Sequence, residues 1–116
     1  MDTQIEDFKG LIFKKVEINK ERDEILFWVS DTLRYNMYHS QDCCEDVYVE
    51  DLCGDLEDLV DSEILVAHES SNEEDDEGGV VQWTFYHLVT QKGWVTIRWY
   101  GWSIGYYCTE LSITRE

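Results

Sequence analysis

The side chains best suited to chemistry in this chain lie in the run His39-Ser40-Gln41-Asp42-Cys43-Cys44, with Cys53 a short distance beyond it. A strand that ends at His39 and turns through Ser40 to Asp42 would bring one imidazole and two or three thiolates to within about 2.0 to 2.3 Å of a zinc ion. His39, Cys43, Cys44 and Cys53 are therefore the expected ligands of a structural zinc that staples a small fold. The run lacks the paired C-x-x-C knuckle of standard fingers, and buried free thiols beside a core histidine are the competing reading. Cys108, in an alternating stretch, reads more simply as a core residue. Asp42, Glu45 and Asp46 offer carboxylates to a hard cation, without the ligand order of an EF-hand. Cys43 or Cys44 with His39 supplies a nucleophile and a base. No oxyanion-hole motif accompanies them, and nearby acids raise a thiol's pKa, so no catalytic residue is assigned and an enzyme is not expected.

Charge is the second feature. The chain has 116 residues, with 26 Asp and Glu against 9 Lys and Arg, for a formal net charge of -17. That balance excludes a protein that binds nucleic acid by neutralising phosphates, and equally a peripheral anchor on anionic lipid. No Lys or Arg stands between Arg34 and Lys92, and acids crowd the same interval. Glu50, Asp51, Asp55, Glu57, Asp58, Asp61, Glu73, Glu74, Asp75, Asp76 and Glu77 are the expected partner-binding residues. Duplex DNA carries about one charge per 1.7 Å of axis, and rows of carboxylates imitate that density for a groove lined with Arg and Lys. A basic, nucleic-acid-handling protein is the natural partner. The plain alternative is that acidity keeps a Trp-rich chain soluble, or reflects a salty habitat.

Aromatics are the third feature, running from Trp83 through Phe85, Tyr86, Trp94, Trp99, Tyr100 and Trp102 to Tyr106 and Tyr107. Period two assigns Trp83-Phe85-His87-Val89 and Val95-Ile97-Trp99 to buried faces and leaves Trp94, Thr96, Arg98 and Tyr100 on the other side. That second face suits base stacking, a nucleotide with Arg98 on its phosphate, or a protein partner; the competing reading has a short helix covering it.

The elements that must position these groups are mostly strands. Val16-Glu17-Ile18 and Ile25-Leu26-Phe27-Trp28-Val29, parted by a polar run, read as a hairpin, and Leu33 to His39 alternates as a third strand. The segment up to Gly10 is a short helical turn or a loose arm. A strand at about 46 to 50 and a helix at about 55 to 61 come next, the helix capped by Gly54-Asp55 with acids in its first turn. Ile64 to Ala67 reads as a strand, and residues 70 to 79 as an exposed, mobile acidic loop. Val80 to Thr90, Trp94 to Trp102 and Tyr106 to Thr114 complete three antiparallel strands. The expected class is α+β, predominantly antiparallel β with about seven short strands and one or two short helices, in a single domain over residues 1 to 116. No apolar stretch approaches the roughly 20 residues that span a bilayer, and no basic-then-apolar leader opens the chain, so the cytosol is expected, with free thiols or metal ligands favoured over disulfides.

Four stretches together resemble a family of small phage and prophage proteins without assigned function: Tyr38-His39-Ser40-Gln41-Asp42-Cys43-Cys44-Glu45, Glu50-Asp51-Leu52-Cys53-Gly54-Asp55-Leu56-Glu57-Asp58-Leu59, Lys92-Gly93-Trp94-Val95-Thr96-Ile97-Arg98-Trp99-Tyr100-Gly101 and Gly105-Tyr106-Tyr107. In size, acidity and its His/Cys cluster the chain is also similar to zinc-containing anti-CRISPR proteins that block Cas9. That likeness implies a phage protein that binds a host defence nuclease and stops it loading nucleic acid, with any zinc role falling on His39, Cys43, Cys44 and Cys53. The leading expectation is a non-enzymatic inhibitor whose acidic face docks on a basic channel, Cas9 being the favoured target. The alternative is a module that sequesters a signalling nucleotide between Trp94, Arg98 and Tyr100.

Overall fold

The structure, a computed structural model, describes residues 3–105 and 108–116. It is a sandwich of two four-stranded antiparallel sheets. Sheet I holds β1 (Lys15–Ile18), β2 (Glu24–Trp28), β3 (Arg34–His39) and β8 (Leu111–Arg115) in that spatial order. Sheet II holds β4 (Asp46–Cys53), β7 (Gly93–Ser103), β6 (Gly79–Thr90) and β5 (Val66–Asp76). Antiparallel β therefore dominates as expected, with eight strands and two 3-10 turns, Ile5–Phe8 and Leu56–Leu59, among the described residues.

The first hairpin forms where the polar run predicts it. Asn19 accepts from the Asp23 and Glu24 amides at 3.0 Å each, and Arg22 takes the left-handed conformation at φ 60. The same turn ties the sheets together: the Val49 amide donates to the Arg22 carbonyl at 2.6 Å, and Arg22 Nε donates to the Val49 carbonyl at 3.0 Å. Pairing places Val16, Phe27 and Tyr35 in one row and Ile18, Ile25, Met37 and Ile113 in the next. Nearly all of these residues are buried. Phe8 from the first turn packs edge-on against Phe13, Phe27 and Tyr35 at centroid distances of 5.0, 4.9 and 5.2 Å. From sheet II, Trp99 enters this core and its indole N–H donates to Met37 Sδ at 3.3 Å.

Four expectations need correction. The segment read as a mobile loop at 70 to 79 is strand: Val66 to Asp76 pairs residue by residue with β6, and only Glu77 and Gly78, the latter at φ 81, form the turn. Acids at an edge strand point into solvent, so their charge leaves the backbone ladder intact. The helix at 55 to 61 is a single 3-10 turn. Asp55 does cap it, accepting from the Glu57 amide, but Val60 returns to extended backbone and ends it after four residues, too few to sustain α-helix, and Asp61 follows at φ 58. The last strand runs only from Leu111 to Arg115 and joins β3 in sheet I rather than β7; Tyr106 and Tyr107 lie outside the described residues. Finally, β6 faces the opposite way from the expectation. The two-residue turn Gln91-Lys92 pairs Thr90 with Gly93, which sets Leu88 opposite Val95 and Tyr86 opposite Ile97. With Val95, Ile97 and Trp99 inward, Thr84, Tyr86 and Leu88 must be inward too, and Trp83, Phe85, His87 and Val89 turn outward.

The long β5, β6 and β7 stretch the molecule to 44 × 26 × 26 Å, with a radius of gyration of 14.3 Å. A compact chain of this length has about 13.4 Å. The excess is the tip of the β5–β6 hairpin.

Candidate partner-binding surface

The structure does not assemble the expected zinc site. His39 ends β3 as predicted, and its side chain is 6% exposed. Its Nδ1 donates to the Glu110 carbonyl at 2.6 Å, and its Nε2 lies 3.4 Å from Glu45 Oε1. That carboxylate also accepts from the Asp42 and Cys43 amides at 2.6 and 3.1 Å. These amide bonds, the Asp42 one foremost, hold the Glu45 carboxyl below its usual range against an opposing effect of burial. His39 and Glu45 thus fasten the β3–β4 connection rather than face a metal. Cys43 and Cys44 are joined to each other as a disulfide, and Cys53 stands exposed at the far end of β4, about 23 Å on by strand rise. Among the described residues no three His, Cys, Asp or Glu side chains are grouped to hold a metal ion. As placed, His39, Cys43 and Cys44 lie near the start of β4 and Cys53 at its far end, so the four expected ligands are not gathered about one point. In the hard-cation set of Asp42, Glu45 and Asp46, Glu45 turns Oε1 to the backbone amides, and of the Cys–His pair the two thiols are joined to each other and the imidazole is held by Glu110 and Glu45.

The acids fall into three groups instead of one face. Glu50 and Asp51 lie on β4, where a bulge between Val49 and Asp51 sets both beside Arg98. Arg98 Nε is 2.9 Å from Glu50 and Nη2 is 3.7 Å from Asp51. Asp55, Glu57, Asp58 and Asp61 surround the second 3-10 turn near the β6–β7 turn. Glu73, Glu74, Asp75 and Asp76 occupy β5, and Glu77 follows in its turn. β4 and β5 are the opposite edges of sheet II.

Between those edges lies a feature that the sequence reading only half found. Register alone places Tyr48, Tyr100, Trp83 and Asn72 in one row across the outer face of sheet II. Tyr48 and Tyr100 pack with their rings tilted at a centroid distance of 5.1 Å, and Trp83 meets Tyr100 edge-on at 6.4 Å. Neighbouring rows add Phe85 beside Arg98, Trp102 beside Val81, and Trp94 beside Val89. Trp94 is 53% exposed and Tyr48 40%. The helix expected to cover this face is absent from it, because Leu59 of the second 3-10 turn is buried in the core on the other side. Burial first, then the neighbouring Tyr48 phenol and the carboxylates of Asp76, Asp46 and Glu50, push the Tyr100 hydroxyl above its usual range. Acids from both edges thus bear on the centre of the aromatic row. Tyr48 was the residue missed. Its signal was the alternation of Asp46, Tyr48 and Glu50, which marks one face of a strand.

A polar cavity of about 390 Å³ opens between β8 and the inner side of β5 and β6. Glu69, Ser71, Thr84, Tyr86 and Ser112 line it, and none of its lining residues is Lys or Arg, so it offers a phosphate no counter-charge. No helix among the described residues is long and apolar enough to cross a membrane.

No curated protein and no solved structure matches the chain. A family profile matches residues 9–113, and the chain accordingly belongs to the family described as Domain of unknown function (DUF7448).

Proposed function

We propose that the protein is a non-enzymatic inhibitor that occupies the nucleic-acid channel of a basic protein, with a phage-encoded antagonist of Cas9 as the favoured case. One observation carries this reading. Glu73, Glu74, Asp75 and Asp76 are consecutive residues of an edge strand. A strand advances about 3.3 Å per residue, and one DNA strand carries one charge per about 3.4 Å. A paired strand thus fixes its carboxylates in a row whose spacing along the axis, counting both faces, matches that of one polynucleotide strand, with about twice that spacing on either face alone, an order that a loose loop cannot hold. The choice of Cas9 rests on the resemblance to anti-CRISPR proteins in size, acidity and the His39/Cys43 region.

The nucleotide-sequestering alternative has Trp94, Arg98 and Tyr100 on one face in its favour. Arg98 is already paired with Glu50 and Asp51, which removes the cation that a phosphate needs. Isothermal titration with candidate nucleotides separates the two readings, since only the sequestering module binds them.

The inhibitor reading is tested by guide-RNA loading onto Cas9, followed by fluorescence anisotropy. Wild-type protein is expected to block loading, and a variant with Glu73→Gln, Glu74→Gln, Asp75→Asn and Asp76→Asn to need about ten-fold more protein for the same effect. Equal potency of the two would remove the β5 row from the mechanism.

A further inference from the structure

The outer face of sheet II presents an aromatic row inside an acidic rim. Tyr48, Tyr100 and Trp83 form the row. Asp46, Glu50 and Asp51 stand at the β4 edge, and Glu74 and Asp76 share the same face at the β5 edge. The one cation that β4 to β7 place on this face, Arg98, is held by Glu50 and Asp51. Protein interfaces carry this anatomy, with aromatic anchors at the centre and a polar rim around them.

We infer that this face seats an extended, arginine-bearing segment of the partner, its guanidinium groups stacked on the Tyr48–Tyr100–Trp83 row and forked to the rim carboxylates. Charge selects the occupant. A second copy of the chain would bring another -17 against the same rim. A nucleotide phosphate meets five carboxylates and an arginine already engaged. A basic segment gains on both counts, because its charge meets the rim and its flat cation meets ring faces. Arginine suits the seat better than lysine: its planar group both stacks and binds a carboxylate through two N–H donors, whereas the lysine ammonium is a strongly hydrated point charge. The seat rests on the reading that the partner is basic, and adds which part of it is grasped.

The full-length chain is titrated calorimetrically with two capped decapeptides, one alternating Arg and Gly and the other Lys and Gly, while indole resonances are followed by NMR. The Arg peptide is expected to bind several-fold more tightly and to shift the Trp83 and Trp94 indole signals. Tyr48→Ser alters an exposed side chain and should retain the wild-type melting profile; it is expected to lose about three-fold in affinity for the Arg peptide and less for the Lys peptide. Trp83→Leu should add a further loss of similar size. Equal affinity for the two peptides, or an Arg preference unchanged in both variants, overturns the seat. A Glu73→Gln, Asp75→Asn variant neutralises acids on the opposite side of β5. If it weakens both peptides by one factor and keeps their ratio, the seat is supported. If it inhibits nuclease loading as well as wild type while the Arg preference persists, the β5 row fails and the seat stands.

Discussion

The acidic β5 row stores repulsion that can be measured. Glu74 and Asp76 share one face of β5, and Glu73 and Asp75 share the other. Residues two apart on a strand are about 6.7 Å apart. Two unit charges at that distance repel by about 0.6 kcal/mol in water, and by about 0.3 kcal/mol once screened at physiological ionic strength. With the smaller repulsions between adjacent residues included, converting all four acids to amides removes about 1.5 kcal/mol at low salt and about 0.7 kcal/mol at 0.15 M. For a domain of this size the low-salt gain corresponds to about 4 to 6 °C in melting temperature. The assay is thermal unfolding by far-UV circular dichroism at 20 mM and 500 mM NaCl. The amide variant should melt higher than wild type at low salt, the two should converge at high salt, and the stabler variant should be the poorer inhibitor. A variant that melts no higher at low salt, or a wild type indifferent to salt, refutes the argument that β5 holds these charges in a fixed row.

Four other outcomes follow from the packing and the site. Gly54, at φ 102, would place a Cβ 2.4 Å from the Trp94 carbonyl oxygen, so Gly54→Ala should cost about 2 kcal/mol or more in chemical denaturation. Leu88 is fully buried, and Leu88→Ala should cost about 2 to 5 kcal/mol by the same measurement. Because the Glu45 carboxyl is depressed in the folded state, its stabilising effect is complete above the ordinary range for glutamate and is lost as pH falls through its lowered value. Acid unfolding of Glu45→Gln should therefore show a shallower decline of stability over that window than wild type. Cys53 is exposed and distant from His39, so protein never treated with chelator should carry less than about half an equivalent of zinc, and Cys53→Ser should melt like wild type. Stoichiometric zinc by elemental analysis, with a lower melting temperature for Cys53→Ser, would show the ligand set assembling after all.

The strands of sheet I were legible because Val16, Ile25, Phe27, Tyr35 and Met37 alternate cleanly and the polar run from Asn19 to Glu24 breaks them. The β6–β7 hairpin was legible in its turn and in the inward face of β7. The face of β6 was not, because Trp83, Phe85 and Val89 are as apolar as Tyr86 and Leu88, and hydrophobicity cannot choose between two apolar faces. The register set by Gln91-Lys92 makes that choice. Polarity misled at β5 for the opposite reason: acids mark loops and also edge strands, and only the facing β6 decides. Whether the expected metal ligands come together was not legible, because nearness in sequence says little across a strand that carries Cys53 away from Cys44. The exposed aromatic face was foreseen through Trp94, Arg98 and Tyr100, whereas Tyr48 entered it through the pairing of β4 with β7, a contact distant in sequence.

The most direct measurement of the central claim is the inhibition of guide-RNA loading onto Cas9 by the wild-type chain, titrated from 50 mM to 1 M NaCl. A carboxylate row standing in for a polynucleotide predicts strong inhibition at the low end that falls steadily and disappears toward the high end. Unimpeded loading at 50 mM with the protein in large excess, or inhibition equally strong at 1 M, contradicts it.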